Sequence, residues 1–549
     1  MSDLMQPLSF EELLNCAMGE YRAKKSIFGI SRFAVYPEGS AKSFLGKPLE
    51  APFGPAAGPH TQMAQNIVAC YLAGARFFEL KTVQMIDGEE LSSMIDKPCI
   101  AAKDEAYNCE WSTELTVEQA RDEYVKAFIL CRVLCREFSL GDPDAFQFNL
   151  SVGYDLKGIQ SEKIDTFLNT LMDAGSVPVF QESLALCRQA VRDGVFLHVS
   201  QADLDAIPSC ISNSVTLSTM HGCRPSEIEA IADYLLTEKH LNTYVKLNPT
   251  LLGYSKVRRL LDDLGYSYVE FDRKHFDEDL QMEDAVPMLR RLMDVGRRES
   301  LTFGVKLTNT FPVRSMGEVA GSEMYLSGKA LYPLSLGVAV RLHEALPELP
   351  VSYCGGADGG NTRALVDAGL CPVTMATILL QPAGFTTLTR IAGQFTSEGW
   401  SVSAIDGGAL SSLAGKAQPK GKGPRNAVRE RKEELLPDPD HEQCPMVCGI
   451  CTLVCPNRAN VMIGTGKERF VLHLDRLCNE CGNCSAFCSY GGNPYRDRLT
   501  LFSDEQAFND STNRGFVFTK DGVETSDEGL EPFITAVQKE APYLPGVRS

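Results

Sequence analysis

Eight short apolar segments alternate with helix-like segments along the chain, and this alternation restricts the fold more than any other feature. Polar, glycine or proline residues follow each segment, and amphipathic stretches such as 225–239 lie between them. Repeated strand–helix alternation is typical of a parallel barrel enclosed by helices. The sequence therefore predicts an α/β protein with a (β/α)8 TIM barrel, with strands within 50–57, 77–84, 146–151, 214–219, 244–250, 303–310, 351–356 and 372–378.

The 549 residues are too many for one ordinary domain, so a barrel and a smaller unit are expected. Composition shifts mark the boundaries, above all a stretch rich in Gly, Ser, Pro and Lys after residue 405. We predict a helical lead-in at 1–45, the barrel at 46–405, a linker at 406–440, a cysteine-rich unit at 441–496 and a tail at 497–549.

Charge and hydropathy restrict the partners. The formal net charge is −18, and a surface this acidic repels phosphate backbones, so nucleic acid is not an expected partner. The first residues lack the basic and apolar regions of a signal peptide, and no apolar run is long enough to span a bilayer. We therefore expect a cytoplasmic protein without a membrane partner.

Eight of the 19 cysteines fall between 444 and 488, in two runs. The second run has the bacterial C-x2-C-x2-C-x3-C spacing, and the first differs by one residue. In such pairs three cysteines of each run hold one [4Fe–4S] cluster and the fourth serves the other cluster. The predicted ligand sets are Cys444, Cys448, Cys451 and Cys488 for one cluster, and Cys455, Cys478, Cys481 and Cys484 for the other.

Two zinc sites or disulfides are the alternatives for these cysteines. Zinc usually pairs two C-x2-C knuckles and has no use for an exchanged fourth cysteine, while cytosolic disulfides are rare. The pattern therefore favours a ferredoxin-like domain with two [4Fe–4S] clusters. Two close clusters pass single electrons, so the barrel is expected to hold a group such as FMN that also handles electron pairs.

The predicted strand ends provide places for FMN. Barrel enzymes bind phosphate at the ends of strands 7 and 8, and the sequences there are CGGAD (354–358) and MAT (375–377). Lys81, Lys246 and Lys306 lie on or near strands, and a buried lysine is costly unless an anion meets it. Taken singly, each glycine pair also fits a simple turn, and each lysine fits a solvated strand end.

In this order, the segments PFGPAAGP, VKLNPT, TNT, LSGKALYPLSL and CGGAD and the cysteine runs carry a family resemblance. The barrel resembles the dihydroorotate dehydrogenase family. With the cysteine runs, the chain resembles the C-terminal half of dihydropyrimidine dehydrogenase. It is more similar still to YgfK-type flavoproteins, named as selenate reductase subunits and associated with purine catabolism. The resemblance covers roughly residues 46–495 and implies an FMN-dependent oxidoreductase.

The resemblance also implies roles for individual positions. Asn309 and Ser218 would lie near the substrate. Gly328, Gly355, Gly356, Ala376 and Thr377 would lie near the FMN phosphate. The remaining FMN contacts would be Ala56, Ala57, Gly58, Lys81, Thr82, Asn149, Lys246 and Thr310.

The segment TLSTMHGCRP (216–225) departs from the family pattern. The family acid, a cysteine or serine, falls on Thr219, and the usual substrate-binding asparagine falls on Thr216. Cys223 and His221 have better matched pKa values than a threonine hydroxyl. Cys223, His221 and Thr219 therefore remain alternative proton donors, and His221 and Cys223 also fit structural roles. The missing asparagine favours an oxopurine over a pyrimidine.

The implied reaction is reduction of a C=C or C=N bond in a small N-heterocycle. The chain has no G-x-G-x-x-G turn, so an FAD/NAD(P)H-binding donor subunit similar to the glutamate synthase small subunit, or ferredoxin, is expected to supply electrons. A homodimer or hetero-oligomer is expected by analogy with relatives. The rival readings are an electron-transfer subunit of a molybdenum or selenium reductase or hydroxylase complex, and a barrel without flavin.

Overall fold

The computed structural model describes residues 4–103, 106–109, 112–219, 222–315, 317, 319–417, 444, 447–464 and 469–547. Its centre is a parallel barrel of eight strands, and each lies where the sequence predicts one. They are β1 (Phe53–Pro55), β2 (Phe77–Glu79), β3 (Gln147–Val152), β4 (Ser214–Ser218), β5 (Asn242–Leu247), β6 (Phe303–Leu307), β7 (Val351–Tyr353) and β8 (Val373–Met375).

The strand order closes the barrel. The ladder runs β1-β8-β7-β6-β5-β4-β3-β2 with parallel pairs. Arg76, just before β2, donates its backbone N–H to the Phe53 carbonyl of β1 at 3.0 Å and joins the two ends. The strands are almost wholly buried, as expected for a parallel sheet covered by helices. The (β/α)8 prediction is confirmed.

Amphipathic helices surround this barrel. Capping side chains begin several of them: Thr116 and Gln119 form a capping box on the helix after β2. The longer helices of the barrel are Ala64–Leu72, Val117–Phe138, Glu162–Met172, Pro178–Arg192, Pro225–Thr237, Tyr254–Asp263, Met282–Glu299, Tyr332–Ala345 and Gly384–Glu398. Shorter helices are Gly88–Ser93, Leu156–Ile159, Gln201–Asp205, Lys274–Glu278 and Thr362–Asp367.

An antiparallel sheet forms from the long connections after β2 and β6. It pairs Phe311–Arg314, Glu323–Ser327, Ala106–Asn108 and Ile100–Ala101 in that order. These segments follow the carboxyl ends of barrel strands, where TIM barrels carry their active sites. The connection after β6 therefore contributes two strands to an ordered sheet on this side of the barrel.

The C-terminal part forms a second sheet of five strands. They are β9 (Asn460–Ile463), β10 (Phe470–Leu474), β11 (Leu499–Leu501), β12 (Gly515–Phe518) and β13 (Val523–Thr525), in chain order across the sheet. The strands of the predicted tail thus extend the sheet of the cysteine-rich unit. Helices Ile450–Val454, Asn483–Ala486, Pro494–Asp497, Glu505–Asp510 and Glu531–Glu540 complete this part.

The predicted lead-in and linker each contribute a helix. Phe10–Lys24 begins with a capping box between Ser9 and Glu12, and Arg476 of the C-terminal unit donates to Glu12 at 2.7 Å. Gly407–Ala417 buries Leu410, Ala414 and Ala417 against the rest of the protein. Residues 418–440 of the predicted linker lie outside the described part of the chain. None of the helices that the structure describes is long and apolar enough to cross a membrane.

Candidate active site at the mouth of the barrel

A buried ion cluster fills the barrel interior beneath the carboxyl ends of the strands. Glu79, the last residue of β2, accepts a hydrogen bond from Lys306 Nζ of β6 at 2.6 Å. Lys246 Nζ of β5 lies 3.7 Å from the other carboxylate oxygen. Ser352 Oγ lies 3.1 Å from Lys306 Nζ, and Thr374 contacts the same amine. Strands from both sides of the barrel therefore meet at one carboxylate.

Positive charge exceeds negative charge in this cluster. Burial alone would raise the pKa of Glu79, but Lys306 and Lys246 hold that pKa below its usual value. Glu79 thus stays ionised, yet one carboxylate faces two ammonium groups. The sequence prediction placed Lys246 against an anionic flavin and did not find Glu79. The glutamate has no motif, and only barrel closure brings β2 next to β5 and β6.

Three more predicted flavin positions lie beside this cluster. Thr82 Oγ1 and Ser151 Oγ are 2.8 Å apart, and Lys81 is almost fully buried. Asn149 of β3 donates its amide to Thr216 Oγ1 of β4 at 2.8 Å. Its Oδ1 is buried and has no hydrogen-bond partner among the residues described. Such an orphaned acceptor in a buried polar site indicates water or a ligand.

The positions predicted for the phosphate come together. Gly328, Gly355 and Gly356 have φ values of +73°, +94° and +73°, a region that favours glycine. A Cβ on Gly356 would lie 2.9 Å from the Gly328 carbonyl oxygen, and a Cβ on Gly328 would lie 2.9 Å from Thr377 Cγ2. The loops after β6, β7 and β8 therefore approach each other so closely that side chains would separate them.

The segment after β1 reaches the same place. Ala56 donates its backbone N–H to the Met375 carbonyl at 2.9 Å. A Cβ on Gly58 would lie 3.0 Å from Ala376 Cβ. Ala57 is partly exposed between these two contacts. The small residues predicted to contact FMN thus border the predicted phosphate positions.

Asn309 and Thr310 follow β6 at the edge of the mouth. The Asn309 backbone N–H donates to the Leu247 carbonyl at 2.8 Å, and its Oδ1 accepts from the Thr310 N–H at 3.2 Å. Both residues are partly exposed, as is Ser218 at the end of β4. These positions can be reached from solvent, which suits the substrate contacts predicted for Asn309 and Ser218.

The loop after β4 is held by a buried carboxylate from the insertion after β5. Asp279 accepts from the Gly222 N–H at 2.9 Å and from Thr250 Oγ1 at 2.7 Å. Thr219, Cys223 and Asp279 line one small pocket. His221, the third candidate proton donor, lies outside the described residues. The structure thus brings two of the three candidates to one place.

The two described candidates differ chemically. Thr219 Oγ1 donates its proton to the Lys246 carbonyl at 3.0 Å, so the hydroxyl is occupied in holding β5. Partial burial, and then the charge of Glu227, raise the pKa of Cys223 to about 11. The Cys223 thiol therefore keeps its proton at neutral pH and is partly exposed, which suits a donor better than a nucleophile.

The cysteine-rich unit brings the predicted second ligand set together. Burial raises the pKa values of Cys478, Cys481 and Cys484, and the charge of nearby Cys455 raises each further. For the first set, burial raises the pKa of Cys451, and the charges of Cys448 and Cys444 raise it further. The charge of Cys455 also raises the pKa of Cys451 in its own run, so the exchanged ligand sets remain a prediction.

These thiols lie near one another, but they do not form a metal-binding group in the described structure. Within the described ranges, no group of three or more Cys, His, Asp or Glu side chains is placed to hold a metal ion. Buried thiols ionise when a metal coordinates them. The donor set therefore fits iron–sulfur clusters in its chemistry, and the ligand roles and their pairing remain predictions.

The second cysteine run is docked on the barrel mouth. The Cys481 carbonyl accepts from the Cys99 N–H at 3.0 Å and the Ile100 N–H at 2.8 Å. Asn483 donates to the Leu380 carbonyl at 3.0 Å, and Leu380 ends the turn that begins at Thr377. The predicted cluster loop and the predicted phosphate positions are therefore connected through one short turn.

Comparison with known proteins agrees with this architecture. Residues 28–423 match the family described as oxidoreductase YgfK, N-terminal TIM-barrel domain. The chain belongs to this family. The YgfK-type resemblance predicted from the motifs is confirmed.

Individual relatives give the extent of the similarity. The chain is 45% identical over 432 residues to the YgfK proteins of Escherichia coli K12 and O157:H7, which covers 76% of this chain and 42% of each relative. It thus spans less than half the length of the curated relatives it matches. A ligand-free DHODH from Eimeria tenella aligns with a TM-score of 0.40 and 14% identity, over 71% of this chain and 97% of that chain.

Proposed function

We propose that this chain is an FMN- and iron–sulfur-dependent oxidoreductase that reduces a C=C or C=N bond of an N-heterocycle, either an oxopurine or a pyrimidine. The observation that carries the proposal is the excess of buried positive charge at Lys246 and Lys306. Lys306 contacts Ser352 of β7 and Thr374 of β8, the strands that lead into two of the closely packed glycine loops. An anionic ring above the lysines and a phosphate at the glycines would suit both features.

The residues of the mouth have distinct tasks in this proposal. Lys246 would face the negatively charged edge of the ring, and the buried Asn149 Oδ1 would accept a hydrogen bond from it. Backbone N–H groups around Gly355, Gly356 and Thr377 would bind the phosphate. When bound, FMN supplies hydride transfer at its N5 atom. Asn309 and Ser218 would orient the heterocycle.

The Cys223 thiol would provide the proton that balances the hydride. Its raised pKa keeps it protonated, and Asp279 holds its loop through Gly222. The proton would pass from Sγ to the ring atom next to the reduced carbon. The resulting thiolate would be reprotonated from solvent, because Cys223 is only half-buried.

The eight clustered cysteines would hold two [4Fe–4S] groups in the exchanged sets predicted from their spacing. Because the Cys481 loop is docked on residues 99–100, this unit is suited to pass electrons toward the barrel. We propose that an FAD/NAD(P)H-binding protein, or ferredoxin, supplies them. The acidic chain, with net charge −18, suits a basic donor surface.

A second candidate is an electron-transfer subunit that binds no substrate, within a larger molybdenum or selenium enzyme. One observation favours it. The family acid position is Thr219, and its hydroxyl proton is already donated to the Lys246 carbonyl.

An anaerobic substrate screen tests the proposal. Protein reduced with dithionite is mixed with uracil, xanthine, urate and related rings, and reoxidation is followed by flavin absorbance. Reoxidation by at least one ring supports the enzyme. Reoxidation only by a partner protein supports the second candidate, and absence of FMN from the purified protein contradicts both.

A variant separates the roles within the enzyme. Cys223→Ala should lower the rate of reoxidation by the active ring about 10²–10⁴-fold, since that is the usual contribution of a general acid. Reduction of the flavin by dithionite should be unchanged. Cys210→Ala, at another partly exposed cysteine, is the matched control. Equal rates for Cys223→Ala and the unsubstituted protein would exclude the thiol as donor.

A further inference from the structure

A cavity of about 720 Å³ lies away from the barrel mouth, where three parts of the protein meet. Its walls come from the N-terminal helix, the last barrel helix and the C-terminal unit, and they include Leu8, Phe28, Phe385, Leu453 and Tyr543. Small-molecule sites typically have volumes of about 300–1,000 Å³ and mostly apolar walls. None of the residues predicted above for flavin, substrate or metal lines the described walls of this cavity.

Arg458 is the most unusual residue of these walls. Its guanidinium lies over the Phe385 ring, with Cζ 4.5 Å from the ring centroid. Its Nε and Nη2 atoms are buried and have no hydrogen-bond partner in the part of the chain that the structure describes. Burial lowers the pKa of Arg458, and the charge of Glu20 offsets only part of that effect, so these two donors lack a hydrogen-bonded acceptor within the described residues.

A second orphaned polar group lies in the same wall. Gln65 donates its amide to the Asn457 carbonyl at 3.3 Å, but its Oε1 is buried without a partner among the described residues. Arg458 and Gln65 both line this cavity. The polar end of a ligand at this wall would offer both side chains a partner.

The charge of the walls has the opposite sign to that of the whole chain. The basic residues are Lys24, Arg32, Arg390 and Arg458, and Glu20 is the one acidic residue among the described walls. Glu20 accepts from Ser26 Oγ at 2.6 Å and from the Gly29 N–H at 2.8 Å through one carboxylate oxygen, and its charge also acts on Arg458. A chain with net charge −18 therefore encloses a locally cationic, otherwise apolar space.

We propose that this cavity binds a small organic anion with an apolar body. Its carboxylate, sulfonate or phosphate head would pair with Arg458, and its body would pack on Phe385 and the neighbouring apolar walls. Arg458 follows Cys455 by three residues, so the anion would bind against the turn that carries a predicted cluster ligand. The site is separate from the barrel mouth and does not depend on the proposed reaction.

Two probes that differ in charge test the site on the full-length protein with its cofactors. Anilinonaphthalene sulfonate carries an anionic head, and phenyl naphthylamine has the same aromatic body without it. Binding of each is measured by isothermal titration calorimetry. Arg458→Gln should weaken binding of the sulfonate at least tenfold and of the uncharged probe less than twofold.

Further variants fix the location. Arg390→Gln removes a second cation far from the cysteines in sequence and should weaken only the sulfonate, about threefold. Thr389→Trp, which fills the cavity from the last barrel helix, should abolish binding of both probes. Arg297→Gln, in an exposed ion pair elsewhere, should change neither. Melting temperature and flavin content verify that each variant is folded.

Three results would overturn the proposal. The first is unchanged sulfonate affinity in Arg458→Gln or, if that variant does not fold, in Arg390→Gln. The second is an equal loss of affinity for both probes in Arg458→Gln, which would show an apolar cavity without anion recognition. The third is undiminished binding in Thr389→Trp, which would place the probes at another surface.

Discussion

At the scale of single residues, Glu79 balances the charge of the barrel interior. Its carboxylate is fully buried and contacts Lys306 at 2.6 Å, while Lys246 lies at 3.7 Å. Buried ion pairs contribute little net stability compared with apolar residues, but removing one partner leaves an uncompensated charge. Removing the Glu79 carboxylate should therefore destabilise the fold by more than the intact ion pair stabilises it.

We expect Glu79→Gln to destabilise the protein by about 3–5 kcal/mol, because two buried ammonium groups would remain without a carboxylate. Urea unfolding at constant FMN concentration measures the change. Glu229→Gln is the control: it breaks an exposed pair with Arg291, and its effect should stay below about 1 kcal/mol. Equal losses in the two variants would contradict the role assigned to Glu79.

At the scale of elements, the glycine loops after β6, β7 and β8 bring three strand ends together. Gly356 has a φ of +73°, and an added Cβ would lie 2.7 Å from Tyr332 Cβ and 2.9 Å from the Gly328 carbonyl oxygen. Neither neighbour is the end of a flexible side chain. A larger residue must therefore displace backbone at the predicted phosphate positions.

Gly356→Ala should lower the ratio of bound FMN to protein several-fold and destabilise the protein by at least about 1–2 kcal/mol, the usual penalty of left-handed backbone outside glycine. Flavin absorbance and urea unfolding measure the two effects. Gly393→Ala lies within a helix with no atom within 4 Å of the added Cβ, so a gain of about 0.5–1 kcal/mol is expected there. Full FMN content in Gly356→Ala would show that the phosphate binds elsewhere.

The elements differ in how far the sequence predicts them. Apolar periodicity places all eight barrel strands, because each strand is a local, buried run. Contacts between segments that lie far apart in the sequence cannot be predicted from such local patterns. Glu79 meets Lys306 only when the barrel closes, and Asp279 reaches Gly222 from an insertion after the next strand. The four-stranded antiparallel sheet likewise combines strands from the connections after β2 and β6, which no local pattern relates.

At the scale of the whole molecule, buried polar contacts join the barrel to the C-terminal unit. Asn483 donates to the carbonyls of Leu380 and Val454 and accepts from the Ala102 N–H. Asn479 donates to Glu114 at 2.7 Å. Because a buried polar group without its partner costs about 1–3 kcal/mol, these contacts favour one relative position of the two units. The cavity around Arg458 exists only because that position is kept.

Two buried histidines, one in each unit, make stability depend on pH. Burial, and then the charge of Arg458, lower the pKa of His60 to about 3, and burial lowers the pKa of His473 to about 4. Histidines of the unfolded chain titrate near about 6.5. Between these values the unfolded chain binds protons that the folded protein does not bind, so stability falls as pH decreases below about 6.5.

At about 1.36 kcal/mol per pH unit, each histidine should lower the free energy of unfolding by about 2 kcal/mol between pH 7.5 and 5. His60→Phe should remove about half of the combined loss, because neither His60 ring nitrogen has a hydrogen-bond partner in the described structure and Phe keeps the edge contact with Phe385. Urea unfolding at the two pH values measures this difference. His198→Gln, at an exposed histidine, should retain the full pH dependence. If His60→Phe also retained it, His60 would have to be protonated in the folded protein, against the burial that the structure shows.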